Sequence, residues 1–148
     1  MTRRYFVPNL RQQAPQLSLP PDEAGHAIRV MRVQPGDQVE LFHGDGWQSG
    51  ATVSRVTRDE CICDYSKPIY HSIEPIFEVT IASAIPKKER AKEMVERLTE
   101  LGVERLIPIV CERTQRPPAP AFLDKLRRGV IEACKQSGRN HLLKIANP

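Results

Sequence analysis

The stretch IFEVTIASAIPKKERAKEMVERLTELGVERLIPIVC, residues 76–111, decides the fold class of this chain. Ile76 to Ile85 is nearly unbroken apolar sequence, as in a strand covered on both faces. Pro86-Lys87-Lys88-Glu89 opens a helix, because proline and acid are tolerated in a first turn whose amides lack partners. Ala91, Met94, Val95, Leu98 and Leu101 then recur every three or four residues and make one apolar stripe. Gly102 supplies a left-handed stop. Leu106 to Cys111 is the next apolar strand, and Pro108 predicts an edge or an irregularity there.

Downstream, a loop with Pro117, Pro118 and Pro120 leads to a second helix carrying Phe122, Leu123, Leu126, Val130 and Cys134, stopped at Gly138. Leu142 to Ala146 is a third strand. Strand–helix–strand–helix–strand means a parallel α/β sheet joined by crossovers. Upstream the period changes. Arg3 to Val7 is β-prone and closed by Pro8, and a polar, proline-bearing loop follows. Pro21-Asp22-Glu23 starts a helix through Ala24, Ala27, Ile28 and Met31, and Gln34-Pro35-Gly36-Asp37 ends it. Val39 to Phe42, Trp47 to Val56 and Cys61 to Tyr65 read as strands, separated by His43-Gly44-Asp45-Gly46 and Thr57-Arg58-Asp59-Glu60. This half predicts a small β-barrel of about 70 residues. Lys67 to Pro75, with two prolines and no period, is the junction, giving domains at 1–72 and 73–148.

Composition narrows the class. The chain is 40% hydrophobic and 27% charged, a globular balance. No apolar run is long enough to span a bilayer and no export signal opens the sequence, so a cytoplasmic protein without a membrane partner is expected. Of the net charge of +4, all lies from His71 onward, which places a basic face in the second half. Cys61, Cys63, Cys111 and Cys134 show no zinc spacing, so no metal is expected; Cys61 and Cys63 fall on one strand face as small hydrophobes. P-loop, dinucleotide, HExxH and GxSxG patterns are absent, and the four histidines are scattered.

Basic residues remain as site candidates. His26, Arg29 and Arg32 stand three apart along one flank of a helix, and arginine forks match phosphate oxygens. Lys87 and Arg113 each follow a strand of the parallel sheet and so share its carboxyl rim, where ligands of open α/β sheets gather. Ser137-Gly138-Arg139-Asn140 follows a helix instead.

Taken together, Arg4-Tyr5-Phe6-Val7, His26-Ala27-Ile28-Arg29-Val30-Met31-Arg32, Gly36-Asp37 and Leu41-Phe42-His43-Gly44 fall in the order of a known family. So do Pro86-Lys87, Thr99-Glu100-Leu101-Gly102-Val103, Pro108, Glu112-Arg113-Thr114 and Glu132-Ala133-Cys134-Lys135-Gln136-Ser137-Gly138-Arg139-Asn140. The chain resembles the RsmE family of 16S ribosomal RNA uridine-N3 methyltransferases, of the knotted SPOUT class. The resemblance implies an α/β protein with an N-terminal PUA-like, RNA-binding barrel followed by the first half of a SPOUT trefoil-knot parallel domain. It also implies S-adenosyl-L-methionine as cofactor, 16S rRNA of the small ribosomal subunit as partner, and a homodimer through a complete second domain. The match runs over roughly the first three-fifths of such an enzyme. Its Gly-rich cofactor loops are expected beyond Pro148, with no cofactor-binding residue in this chain.

Methylating N3 of uridine requires loss of its proton, aided by a base or by cations near the carbonyl oxygens. The catalytic residue is unassigned, with Arg113 and Arg139 as candidates. The RNA-contacting set is Arg4, His26, Arg29, Arg32, Lys87, Arg113, Gln136, Arg139 and Asn140, with Asn140 a base-edge partner. Glu100 and Glu132 read as structural partners of those arginines. The residues leave a non-catalytic RNA-binding module, or an inactive fragment of such an enzyme, as the alternative.

Overall fold

Alternating apolar residues build the first of two compact units, Met1–Ser72 and Ile73–Pro148. The structure, a computed structural model, describes residues 3–12, 14–113 and 117–148. Strands β1 (Arg3–Phe6), β3 (Gln38–Phe42), β4 (Trp47–Val56) and β5 (Cys61–Tyr65) lie where alternation puts them. Two more, β2 (Gln16–Ser18) and β6 (Ile69–Tyr70), fall in stretches read as loop and junction; so few residues show no period, and each is ordered by the strand it pairs with. The sheet runs β1-β3-β4-β5-β2, with β6 also on β4, and forms the barrel. Among the described strands of this sheet only β1 and β3 pair in parallel, across the long connection that carries α1 (Pro21–Gly25).

Inside it pack Tyr5, Val7, Val39, Leu41, Val53, Cys61 and Cys63, with Ala24 and Ala27 closing one side. The Cys63 thiol is pushed up because it donates to Cys61 and because it is buried, so it stays protonated and inert. At the turn before β3, the Asp37 carboxylate accepts the Gln34 amide at 3.0 Å and Arg3 Nη1 at 2.6 Å. The Gln34 amide first, and then Arg3, holds that carboxyl below its ordinary value.

Burial pushes the Tyr5 phenol from 10.0 up to about 12. Between those values the folded chain keeps a proton that the unfolded chain has lost. This contribution to stability is therefore intact below pH 10 and is lost as pH rises through 12, by about 3 kcal/mol for two pH units. The urea midpoint of the barrel, read from the single tryptophan, Trp47, should drop across this window. Tyr5→Phe should flatten the drop, and an unchanged drop would place the titration on another group.

The helix after Pro20 differs from expectation. Met31 donates its amide to His26 O at 3.0 Å, an i+5 bond, so His26–Val30 is a π turn. Arg32 then takes φ +51, which reverses the chain and returns Val33, 1% exposed, to the core. His26, Arg29 and Arg32 therefore do not share one continuous α-helical flank.

In the second unit β7 (Thr80–Ser83), β8 (Arg105–Pro108) and β9 (Lys144–Ile145) form a parallel sheet in that order. The expected ten-residue strand at 76–85 shrinks to four residues, none of the ten is buried, and Ile76 is 95% exposed. The strand lies at the sheet edge, so it lacks the cover on both sides that its sequence predicted. Pro108, expected at an edge or an irregularity, closes the central strand, and Ile109 resumes the ladder by donating to Ser83 O. Helices α2 (Glu89–Glu100) and α3 (Pro120–Ser137) bury Ala91, Val95, Leu123, Leu126 and Val130. Leu101, expected in the α2 stripe, is exposed because the helix has already ended. Among the described residues no helix is long and apolar enough to cross a membrane, and no three metal-ligating side chains cluster.

Candidate nucleic-acid interface

Arginine is costly to bury without a partner, so its placement separates structural from surface roles. Arg4 lies in the barrel wall. Its Nε donates to Glu40 at 2.5 Å, its guanidinium covers the Phe42 ring at 4.7 Å, and its side chain is 7% exposed. Expected on the RNA-facing surface, it ties β1 to β3 instead. His26 is half-buried with its ring edge-on to Tyr5. Arg29 and Arg32, just beyond, are exposed.

In the second unit the basic site candidates fall at two edges of the sheet. Lys87 follows β7 and Arg113 follows β8, so both belong to the carboxyl rim, and both are exposed. Thr114, the last residue of that Glu-Arg-Thr motif, lies outside the described residues. Arg139 precedes β9 at the opposite edge and is 3% exposed. Its Nε and Nη2 donate to the two oxygens of Glu74 at 2.9 and 2.6 Å, and its Nη1 donates to Val103 O at 2.9 Å and Thr99 O at 3.3 Å. Such a satisfied fork is a clamp on the C-terminal end of α2, with every guanidinium nitrogen engaged by the protein itself. Arg139 and the fully buried Asn140 are thus removed from the RNA-contacting set, and Arg139 from the catalytic candidates. Gln136 stays exposed and lines a groove of about 310 Å3 between α2 and α3, with Lys92, Lys125 and Glu132. Glu100 and Glu132, expected as structural partners of Arg113 and Arg139, instead pair locally with Arg97 and Lys135.

One cluster escaped sequence reasoning. On the first unit, Arg11 covers the indole of Trp47, Tyr70 stands opposite that indole, Asp45 adjoins Arg11, and His43 adjoins Asp45. No local sequence signal marks it, because Arg11, Trp47 and Tyr70 are distant along the chain and meet only through strand pairing.

A nucleoside cofactor needs an enclosed donor set. At the carboxyl rim, residues 109–113 and Lys87 and Lys88 are all exposed, offering the apolar surface of Ile109 and Val110 with flanking cations. These residues do not fit such a cofactor unaided.

A family model for the RNA methyltransferase domain matches residues 73–148, and one for the RNA methyltransferase PUA domain matches residues 19–64. The ribosomal RNA small subunit methyltransferase E of Bacillus subtilis is 28% identical over 97% of this chain and 59% of its own length. A Legionella pneumophila protein described as a methyltransferase, solved with its cofactor SAM, aligns at a TM-score of 0.91 and 28% identity, covering 100% of this chain and 63% of that one. The small subunit methyltransferase E of Neisseria gonorrhoeae, bound to S-adenosyl methionine, shares the fold at a TM-score of 0.88 and 24% identity, over 99% and 61% of the two chains. The chain spans about three-fifths of the length of these relatives.

Proposed function

Because this chain belongs to the RsmE family of RNA methyltransferases, we propose that it serves S-adenosylmethionine-dependent methylation of N3 of a uridine in 16S rRNA. Its own part is to dock the RNA. The observation that carries this reading is the joint match of a PUA-type barrel and a methyltransferase sheet in one chain. In support, of the basic residues expected to contact RNA, Arg29 and Arg32 on the barrel and Lys87 and Arg113 on the sheet rim are exposed. Arg29 and Arg32 hold the phosphate backbone, with His26 beside them. Lys87 and Arg113 place the target strand along the rim, and Gln136 contributes an amide near the end of α3. Arg113, the remaining catalytic candidate, steadies negative charge on the base during proton loss.

Two measurements test this. Binding of the chain to small-subunit rRNA should weaken steeply with salt, and Arg29→Gln with Arg32→Gln should lower the log–log slope by about two. Deleting the gene that encodes the chain should remove one 3-methyluridine from 16S rRNA, read by mass spectrometry of its nucleosides. The open carboxyl rim favours a second reading, an RNA-docking module without methyl transfer. Retained salt-sensitive binding with unchanged 3-methyluridine would select that module, and loss of both effects would end the RNA reading.

A further inference from the structure

We propose that Trp47, Tyr70 and Arg11 form a stacking platform for an unpaired RNA base on the barrel, an assignment that rests on the RNA-docking reading above and adds to it the residues that hold a base. Trp47 and Tyr70 face each other directly across the β4–β6 pair. Their ring centroids are 5.8 Å apart at 71°, so the edge of one ring meets the face of the other. The Arg11 guanidinium covers the indole at 4.9 Å, yet its side chain stays 56% exposed. Asp45 positions that guanidinium from 3.6 Å and lies 2.7 Å from His43 Nδ1.

Core packing does not account for this arrangement. The structural aromatics of the barrel, Tyr5 and Phe42, are buried, whereas β6 orders Ile69 and Tyr70 and leaves each 58% exposed. A strand that places two large apolar side chains without burying either adds little to the core, and large apolar exposure marks a contact surface. Charge selects the ligand. Asp45 offsets Arg11, so the cluster presents aromatic and guanidinium planes with little net charge. Such planes take the face of a nucleobase rather than a phosphate, and stacking of this kind tolerates any base sequence.

Trp47, the only tryptophan, reports its own contact. Adding a single-stranded ten-nucleotide oligouridylate should quench Trp47 emission saturably, in step with binding followed by the anisotropy of a labelled strand. Tyr70→Leu keeps the apolar bulk but removes the ring, and should weaken binding about tenfold with an unchanged salt slope. Tyr70→Phe should retain full affinity. Arg29→Gln with Arg32→Gln should change the slope and leave the quenching at saturation intact. Binding by anisotropy without a Trp47 response, or affinity indifferent to Tyr70→Leu, overturns the platform while the RNA-docking reading stands. A chain that binds neither oligouridylate nor small-subunit rRNA overturns both.

Discussion

Arg139→Met is expected to destabilise the second unit by about 3–5 kcal/mol, the usual penalty for breaking one side of a buried ion pair. The methionine fills much of the same volume, so the loss is electrostatic rather than a cavity. Glu74 would keep a carboxylate whose side chain is only 19% exposed but lose both donors of the fork. Val103 O, just past the end of α2, would lose its 2.9 Å bond to Nη1. Helices α2 and α3 hold 12 and 18 residues, so circular dichroism at 222 nm follows mainly this unit during urea unfolding. Adding Glu74→Leu to Arg139→Met should recover most of the loss, because a buried pair replaced whole by apolar groups is often neutral. A single variant as destabilised as the double, or an unshifted midpoint, would deny that the pair is a clamp.

This clamp also shows where the sequence stopped being legible. Alternation found Val39, Leu41, Val53, Cys61 and Cys63 because a half-buried strand writes its period into neighbouring residues. Gly102 and Gly138, at φ +80 and +78, were found because a left-handed helix stop has a local chemical signature. Arg4 and Arg139 were misplaced because their partners are 36 and 65 positions away, and charge alone reads as surface. The π turn at His26 is equally hidden, since Ala27 and Ile28 suit an α-helix as well. The stretch 76–85 carries the composition of a strand with two covered faces, while the described structure covers it only in part. Of the proposed RNA surface, Arg29, Arg32, Lys87 and Arg113 were legible as exposed cations. Trp47 and Tyr70 were not, because a cross-strand pair becomes visible only when the register is known.

Gly102→Ala should destabilise the same unit by about 2–5 kcal/mol, through two separable causes. The first is conformational. Gly102 sits just past α2 at φ +80, donating to Thr99 O at 3.1 Å while Val103 donates to Leu98 O at 3.0 Å. That paired capping geometry fixes the angle, and a side chain there costs about 1–2 kcal/mol. The second is steric. A Cβ on Gly102 would lie 2.7 Å from both Cγ and Cδ of Pro75, an overlap that costs about 1–3 kcal/mol when the neighbour cannot retreat. Pro75 cannot retreat freely, because the adjacent Glu74 is held in the Arg139 fork. Pro75→Ala added to Gly102→Ala should therefore recover the steric part and leave the conformational one. Gly36 isolates the latter, since it has φ +97 and nothing within 4 Å of an added Cβ. Gly36→Ala should cost its own unit only about 1–2 kcal/mol. Urea unfolding of the three variants decides the matter: equal losses for Gly102→Ala and Gly36→Ala, or no recovery with Pro75→Ala, would remove the steric cause and leave backbone conformation alone to explain the glycine.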